Sequence, residues 1–343
     1  MIRLVLMGIL CSSVLLISSC QPGEEAGASG AQASPGFAPI PSFPTSASFS
    51  YAGPVLDLPK RDPLSAALHE TEEDWAIAAA SVAWARDQGL GLLPVGEVAA
   101  ILGSTFVGSP YEPGTLELAG PEGLVVNLSV FDCVTFVEHM LVLARLVVDP
   151  ELRIASDSGE ADVMAFRGRY RRELATLRYR DGEVDGYASR LHYFTEWLDR
   201  GIERGDLTEV TDELGGIPDP RPIHFMTSHP EAYRQLREEP DLLPFFQAKE
   251  EALSRRVRLF IPEDEIAGVE MGIRNGDIIA AVSTVDGLDI AHTGLALWHD
   301  GRLHLLHAPL VGDTVEISPL PLAERMKGIR GQKGIRVVRP VAP

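Results

Sequence analysis

The chain reads as α+β, with helices in the first half and an antiparallel sheet at the end. Two patterns predict this. From Glu72 to about residue 203, apolar residues recur at helical spacing. From about Val257 the pattern changes to short apolar runs divided by turn residues, the signature of strands. Neither a repeat nor a second linker interrupts residues 60–343, which read as a single catalytic-size domain able to bury a full core.

The stretch before that domain has a different composition. Met1 to Ser19 carries one early charge, Arg3, then an apolar run from Leu4 to Ile17, which is short for a membrane span and fits a cleaved export signal. Small residues precede Cys20. Residues 20–59 are rich in Pro, Gly, Ala and Ser with no apolar period, so a disordered tether is expected.

Within the domain, Glu72–Asp87 is the first expected helix, with Trp75, Ile77, Ala78 and Val82 on its apolar side and Gly89 and Gly91 ending it. Val95–Leu102 is a second, short one. The Gly- and Pro-rich stretch 108–123 reads as a loop. Asp132–Val148 is a strong helix, and 160–177 and 187–203 are two more. Strands are expected at 257–261, 277–283, 291–298, 302–307, 313–317 and 334–339.

The formal net charge of −19 disfavours nucleic acid and anionic lipid surfaces as partners. The three cysteines are more informative. Cys11 lies inside the removable signal and Cys20 at its end, which leaves Cys133 as an odd thiol in an exported chain. A small buried hydrophobe is the bland reading. A nucleophile is the sharper one, because Cys133 falls in the first turn of a helix. There, backbone N–H groups and the helix dipole favour a thiolate and can stabilise an oxyanion.

A nucleophilic thiolate needs a base. Asp300-Gly301 is a two-residue hairpin signal between two strand-like runs. With that turn, His299 faces Arg302 and the register runs back to Gly294 opposite His307. His292 then shares a face with His307 as a diagonal neighbour, while Gly294 and Ala296 leave room on that face for another element. A slip of one residue would separate the pair. Either imidazole can be the base on this geometry, with the other steering it.

These residues resemble a family. Phe131-Asp132-Cys133 opening a helix, Gly276-Asp277-Ile278-Ile279, His292-Thr293-Gly294-Leu295 and Leu306-His307-Ala308 look like the NlpC-type branch of papain-like cysteine peptidases. Asp132 to Glu138, Tyr179-Arg180-Asp181-Gly182, Ser189 to Trp197 and Gly287 to Gly294 narrow the likeness to the N-acetylmuramoyl-L-alanine amidase-like family of bacterial envelope proteins. The resemblance implies a papain-like fold, with a catalytic cysteine at a helix N-terminus packed on the C-terminal sheet. It also implies a peptidoglycan or muropeptide substrate, Cys133 as nucleophile, His292 as base and then acid, and His307 as the orienting residue. The wider superfamily commonly has Ser-Gly after the cysteine, and that Ser helps bind a free peptide amino end. Val134-Thr135 stand there in this chain, which fits the bond between N-acetylmuramic acid and L-alanine better than one deep in a free stem peptide. Leu16 to Cys20 resembles a bacterial lipobox, which implies cleavage before Cys20 and acylation there; Gln21 stands where an Asp would resemble an inner-membrane retention signal, so an anchor in the outer membrane facing the periplasm is expected.

Further candidates are weaker. Asp132 could tune a substrate site or merely partner the helix dipole. Glu138 could touch the pocket or be structural. The arginines between Arg167 and Arg180 read as a solvated face, or as recognition of substrate carboxylates. Arg190, Tyr193 and Trp197 fall on one face of the expected 187–203 helix, and the resemblance favours Arg190 and Tyr193 as substrate-binding residues. Zinc held by Cys133, His292 and His307 is the chemical rival. No His-Glu-x-x-His helix is present, His304 and His307 would point to opposite faces of a strand, and neither metal nor cofactor is expected.

Overall fold

The computed structural model describes residues 68–152 and 159–342. The expected leader, Cys20, the tether and the first residues of the expected domain lie outside the described residues.

In chain order, β1 (Leu68–His69) leads into α1 (Glu72–Asp87), α2 (Val95–Thr105), β2 (Leu124–Val125), α3 (Cys133–Val148), α4 (Glu160–Arg178) and α5 (Phe194–Arg204). Two short strands follow, β3 (Leu207–Glu209) and β4 (Ile217–Pro218). Next come three helices, α6 (Phe225–Ser228), α7 (Arg234–Glu238) and α8 (Leu243–Ser254). The sheet region holds β5 (Leu259–Pro262), α9 (Ile266–Val269), β6 (Ile278–Ser283), β7 (Ile290–His299), β8 (Arg302–His307), β9 (Glu316–Ile317), α10 (Leu322–Gly328) and β10 (Gln332–Pro340).

The main sheet runs β4-β5-β10-β6-β7-β8-β9, with β3 also pairing with β10, and its neighbours are antiparallel throughout. β1 and β2 form a small separate parallel pair. Alternation along the strands divides the apolar residues by face. Ile278, Ala280, Leu295 and Leu306 join the core built by α1 to α5. Ile279, Ala281, Ala296 and Leu305 join a second core with Leu322 and Met326 of α10. A third cluster, with Tyr193, Phe225, Met226, Tyr233 and Phe246, belongs to α6–α8 and the segment before α5.

Helix starts follow local chemistry. Thr71 and Asp74 form a capping box at α1, and Asp74 Oδ1 also accepts the Leu128 N–H at 2.8 Å, tying α1 to the segment before α3. Gly89, at φ 74°, takes the left-handed turn that stops α1. α3 is buried nearly all round, including Glu138, His139 and Arg145, so its polar residues must find partners inside.

Three expectations need correction. Residues 187–203 are not one helix. Tyr187–Ser189 is a 3-10 turn, Arg190 is extended at φ −68° and ψ 143°, and α5 starts only after Tyr193. Arg190, Tyr193 and Trp197 therefore do not share a helical face. The Arg178–Leu191 backbone bond and the Tyr179–Arg190 bridge hold this stretch extended, a tertiary constraint that overrides its helical spacing. Of the arginines of α4, Arg172 is exposed, as a solvated face requires, but the others are held in ion pairs. Arg167 pairs with Glu72, Arg171 with Glu70, Arg169 with Asp149 and Glu173, and Arg178 with Glu138. They tie α4 to the α1 region and to α3. The expected strand 313–317 is shorter, Glu316–Ile317 alone. The helices α8 and α10 have no counterpart in the sequence reading.

Candidate active site

The start of α3 is built by Asp132. Its carboxylate Oδ1 accepts the N–H groups of Val134 at 3.1 Å and Thr135 at 2.8 Å, and the Thr135 hydroxyl oxygen accepts the Asp132 N–H at 2.9 Å. This reciprocal box explains why Thr135 stands at its position: it is the N3 partner of the cap. It also corrects the expectation that several N–H groups here are open to an oxyanion. The cap takes those of Val134 and Thr135, and the carboxylate itself meets the positive end of the helix. The Cys133 N–H is the first-turn donor that the cap does not take.

Cys133 is the first residue of α3 and fully buried. Its sulfur is disulfide-bonded in this structure, which departs from the expected free thiol; Cys11 and Cys20 lie outside the described residues.

The histidine pair forms as the turn chemistry requires. Asp300 (φ 49°) and Gly301 (φ 77°) both take positive φ, and β7 pairs with β8 from His299↔Arg302 to Leu295↔Leu306. His292 Nε2 and His307 Nδ1 are 2.7 Å apart, with the rings near perpendicular at 83°. Gly294 is needed between them. A Cβ there would lie 2.7 Å from the Leu306 carbonyl oxygen and 2.8 Å from His307 Cβ. A bulge at Ala291 shifts the register just before His292, between Ala281↔His292 and Val282↔Ile290. His307 is fully buried, and burial, with the Arg325 charge, pushes its pKa well below the ordinary histidine value. α10 is the element that fills the room over Ala296.

The start of α3 packs on the histidine strands through the face of Leu295 and Leu306, while His292 and His307 alternate onto the face of Ala296 and Leu305, the α10 side. Gly103 of α2 is close to Phe136, one turn after Cys133, and to Leu306, the residue before His307. One cavity is lined by Asp132 and Val134, which flank Cys133, and by Leu288, Asp289 and Ile290, which lead into His292; Cys133, His292 and His307 themselves do not line it. Arg178, Glu138, Arg190, Tyr193 and Glu117 complete much of its wall.

That wall is a set of closed ion pairs. Glu138 Oε2 accepts from Arg178 Nε at 2.7 Å and Glu138 Oε1 accepts from Trp197 Nε1 at 3.2 Å, deep in the protein. Burial pushes the Glu138 carboxyl up, against the pull of Arg178. Arg190 lines the cavity beside the loop it anchors: it pairs with Glu117 at 2.5 Å and Glu122 at 3.2 Å. Tyr193 also lines the cavity. Its hydroxyl is committed, donating to Glu250 at 2.6 Å and accepting the Met226 N–H at 2.9 Å. Sequence reasoning missed Glu117, Glu122, Glu250 and Asp289. Their partners lie 57 to 94 residues away for Glu117, Glu250 and Asp289, and no local spacing announces such pairs. Among the described residues, no group of three or more His, Cys, Asp or Glu side chains is arranged to hold a metal ion.

The chain is thus an α+β protein with a buried cysteine opening its central helix and a hydrogen-bonded histidine pair on the adjoining sheet. Residues 101–335 match the model of the AmiA-like family, described as N-acetylmuramoyl-L-alanine amidase-like, and the chain belongs to that family of amidase-like peptidoglycan hydrolases. A solved N-acetylmuramoyl-L-alanine amidase from Bacteroides uniformis is 34% identical over 72% of this chain and 99% of its own, with a TM-score of 0.65. A putative xylanase from Bacteroides fragilis is 35% identical over 69% of this chain and 98% of its own, with a TM-score of 0.61. A Legionella pneumophila protein at 19% identity and TM-score 0.55, covering 79% of this chain and 96% of its own, shares the fold. No curated protein matches.

Proposed function

We propose that the protein is a cysteine-dependent amidase of the bacterial envelope, with a papain-like arrangement of the NlpC type. It would cut the bond between the lactyl group of N-acetylmuramic acid and L-alanine. The observation that carries this is the 2.7 Å bond between His292 and His307, in a chain of an amidase-like family whose central helix opens on Cys133.

The Cys133 thiol gives its proton to His292, and the thiolate attacks the lactyl carbonyl carbon. A C–S bond forms and the carbonyl electrons move onto oxygen, beside the Cys133 N–H. The C–N bond then breaks while the His292 imidazolium protonates the departing amine of L-alanine. Water, deprotonated by His292, attacks the thioester and releases the acid and the thiol. His307 holds the His292 ring throughout, in the way an orienting third group does in triads. The cycle requires Cys133 as a thiol, so a reductant is part of the assay. Asp132 supports the site mainly by fixing the helix start, while Arg190 and Tyr193 shape the cavity from committed positions. Export, lipid attachment at Cys20 and an outer-membrane location belong to the same reading and rest on the leader and lipobox-like sequence.

The test is mass spectrometry of muropeptides incubated with the thiol-reduced protein and its Cys133→Ala variant. Free stem peptide and intact disaccharide, absent with the variant, is the expected result. Products cut inside the peptide would make it an endopeptidase. Hydrolysis retained by Cys133→Ala would rule out the cysteine mechanism, and no product at all would favour a binding module.

A further inference from the structure

We propose that Glu316 is a positioning residue for the histidine pair, which sets the tautomer of both rings by accepting the Nε2 proton of His307. Its consequence for catalysis rests on the function proposed above.

The argument starts from the hydrogen bond between the rings. His292 Nε2 and His307 Nδ1 are 2.7 Å apart, and one proton sits between them. Two chains are possible. If His307 carries its proton on Nδ1, His292 Nε2 accepts and the remaining proton of a neutral His292 is on Nδ1. If His307 carries it on Nε2, then His307 Nδ1 accepts, His292 holds its proton on Nε2, and His292 Nδ1 keeps a basic lone pair. Only the second chain leaves the outer nitrogen of His292 able to take a proton from a thiol.

Glu316 selects the second chain. It is the direct β-partner of His307 across β8 and β9, so the two side chains stand on the same face. Its Oε1 lies 3.5 Å from His307 Nε2, a buried nitrogen with no closer hydrogen-bond partner among the described residues. A carboxylate can only accept, so it draws a proton onto that nitrogen. A shift of about half an ångström makes a normal bond, and such contacts are often long before substrate binds. The charged group facing both from α10 is Arg325. It disfavours an imidazolium at His307 and opposes the rise that burial imposes on Glu316, which keeps His307 neutral and Glu316 an acceptor. The rival arrangement has Arg325 donating to an unprotonated His307 Nε2, which forces the first chain. From the remaining side, a Cβ on Gly312 would lie 3.4 Å from Glu316 Oε2, so the backbone of the loop before β9 comes close there, and the same loop carries the Asp313 carboxylate.

Nitrogen-15 NMR of histidine-labelled protein reads the tautomers directly, with the rings assigned from His292→Gln and His307→Gln. In the wild type, His307 is expected to be protonated on Nε2 and bare on Nδ1. Glu316→Gln keeps this pattern, because the carboxamide oxygen still accepts. Glu316→Ala loses it, with His307 gaining the Nδ1–H form. On muropeptides, kcat of Glu316→Ala falls about 10- to 100-fold at unchanged KM, the range for removing a group that orients a functional imidazole, and Gln restores most of it. Wild-type His307 protonated on Nδ1, or an unaltered pattern in Glu316→Ala, overturns the proposal. If the Ala variant does not fold, the wild-type and Gln spectra decide. If the wild type cleaves no muropeptide, the proposed function fails while the spectra still judge Glu316.

Discussion

Two buried histidines in this protein make nearly the same bond and end in different chemistry. On α3, His139 Nδ1 is 2.6 Å from the Tyr170 hydroxyl. On β7 and β8, His292 Nε2 is 2.7 Å from His307 Nδ1. Burial pushes the pKa of both His139 and His307 well below the ordinary value. Around His139 the chain is closed: Tyr170 is fully buried with its own pKa pushed well up, and the neighbouring charges, Glu138 and Arg178, neutralise each other. A phenol of raised pKa and an imidazole of lowered pKa hold one proton and pass it nowhere. Around His292 the partner is a second imidazole, a group that can donate and accept, and beyond it stands the carboxylate of Glu316. The lesson is that burial alone does not decide whether a histidine can pass a proton on; what lies at the far end of its bond does.

Removing one member of the open chain is expected to have the largest effect. His292→Ala should lower the rate about 10²- to 10⁴-fold, the usual worth of a general acid–base group. His307→Ala should cost less, because His292 remains. Equal, small losses in kcat would mean that this pair is not the catalytic one. The closed region should instead respond in stability. Glu138→Ala strands the buried Arg178 and Trp197 Nε1, and urea unfolding is expected to show a loss of about 3–5 kcal/mol. Pairing Glu138→Met with Arg178→Met should return most of that. A double variant as weak as the single one would show that shape, not charge, is what the pair supplies.

A smaller effect is read from the pH dependence of stability. His139 is held neutral when folded and titrates near its ordinary value when unfolded, so the unfolded chain binds more protons as pH falls below about 6.5. Its contribution is fully present above that pH and is lost below it, down to the depressed folded pKa. Stability should therefore fall on acidification by about 1.4 kcal/mol per pH unit for this one group. His139→Gln should flatten the curve by that amount in thermal melts between pH 6.5 and 5. An unchanged slope would mean His139 takes up a proton while folded. Smallest is the helix cap. Asp132→Ala should cost about 1 kcal/mol, and Asp132→Asn only a few tenths, since Asn still caps. Asn also removes a negative charge beside Cys133, so alkylation of the reduced thiol should reach its half-maximal rate at lower pH than in the wild type.

Legibility followed the range of the forces involved. Asp300-Gly301 demands two positive φ angles, and that local requirement fixed the β7–β8 register and brought His292 to His307. The start of α3 was equally local, since Asp132 and Thr135 cap it from three residues apart. The path from Tyr187 to Tyr193 was misread as helix because its spacing is helical, while the bonds that extend it come from Arg178 and Tyr179.

By itself, then, the sequence determined the helices α1 to α4, most strands of the later sheet, the hairpin, and the candidate cysteine and imidazoles, because turn stereochemistry, capping and apolar period act within a few residues. Tertiary structure alone decided what each polar group faces. It closed Arg178 on Glu138 and Arg190 on Glu117, bound the Tyr193 hydroxyl to Glu250, and stood Glu316 beside His307. A buried charge must be met by whichever partner the packing delivers, and that partner is set by how distant elements meet, which no local pattern in the chain records.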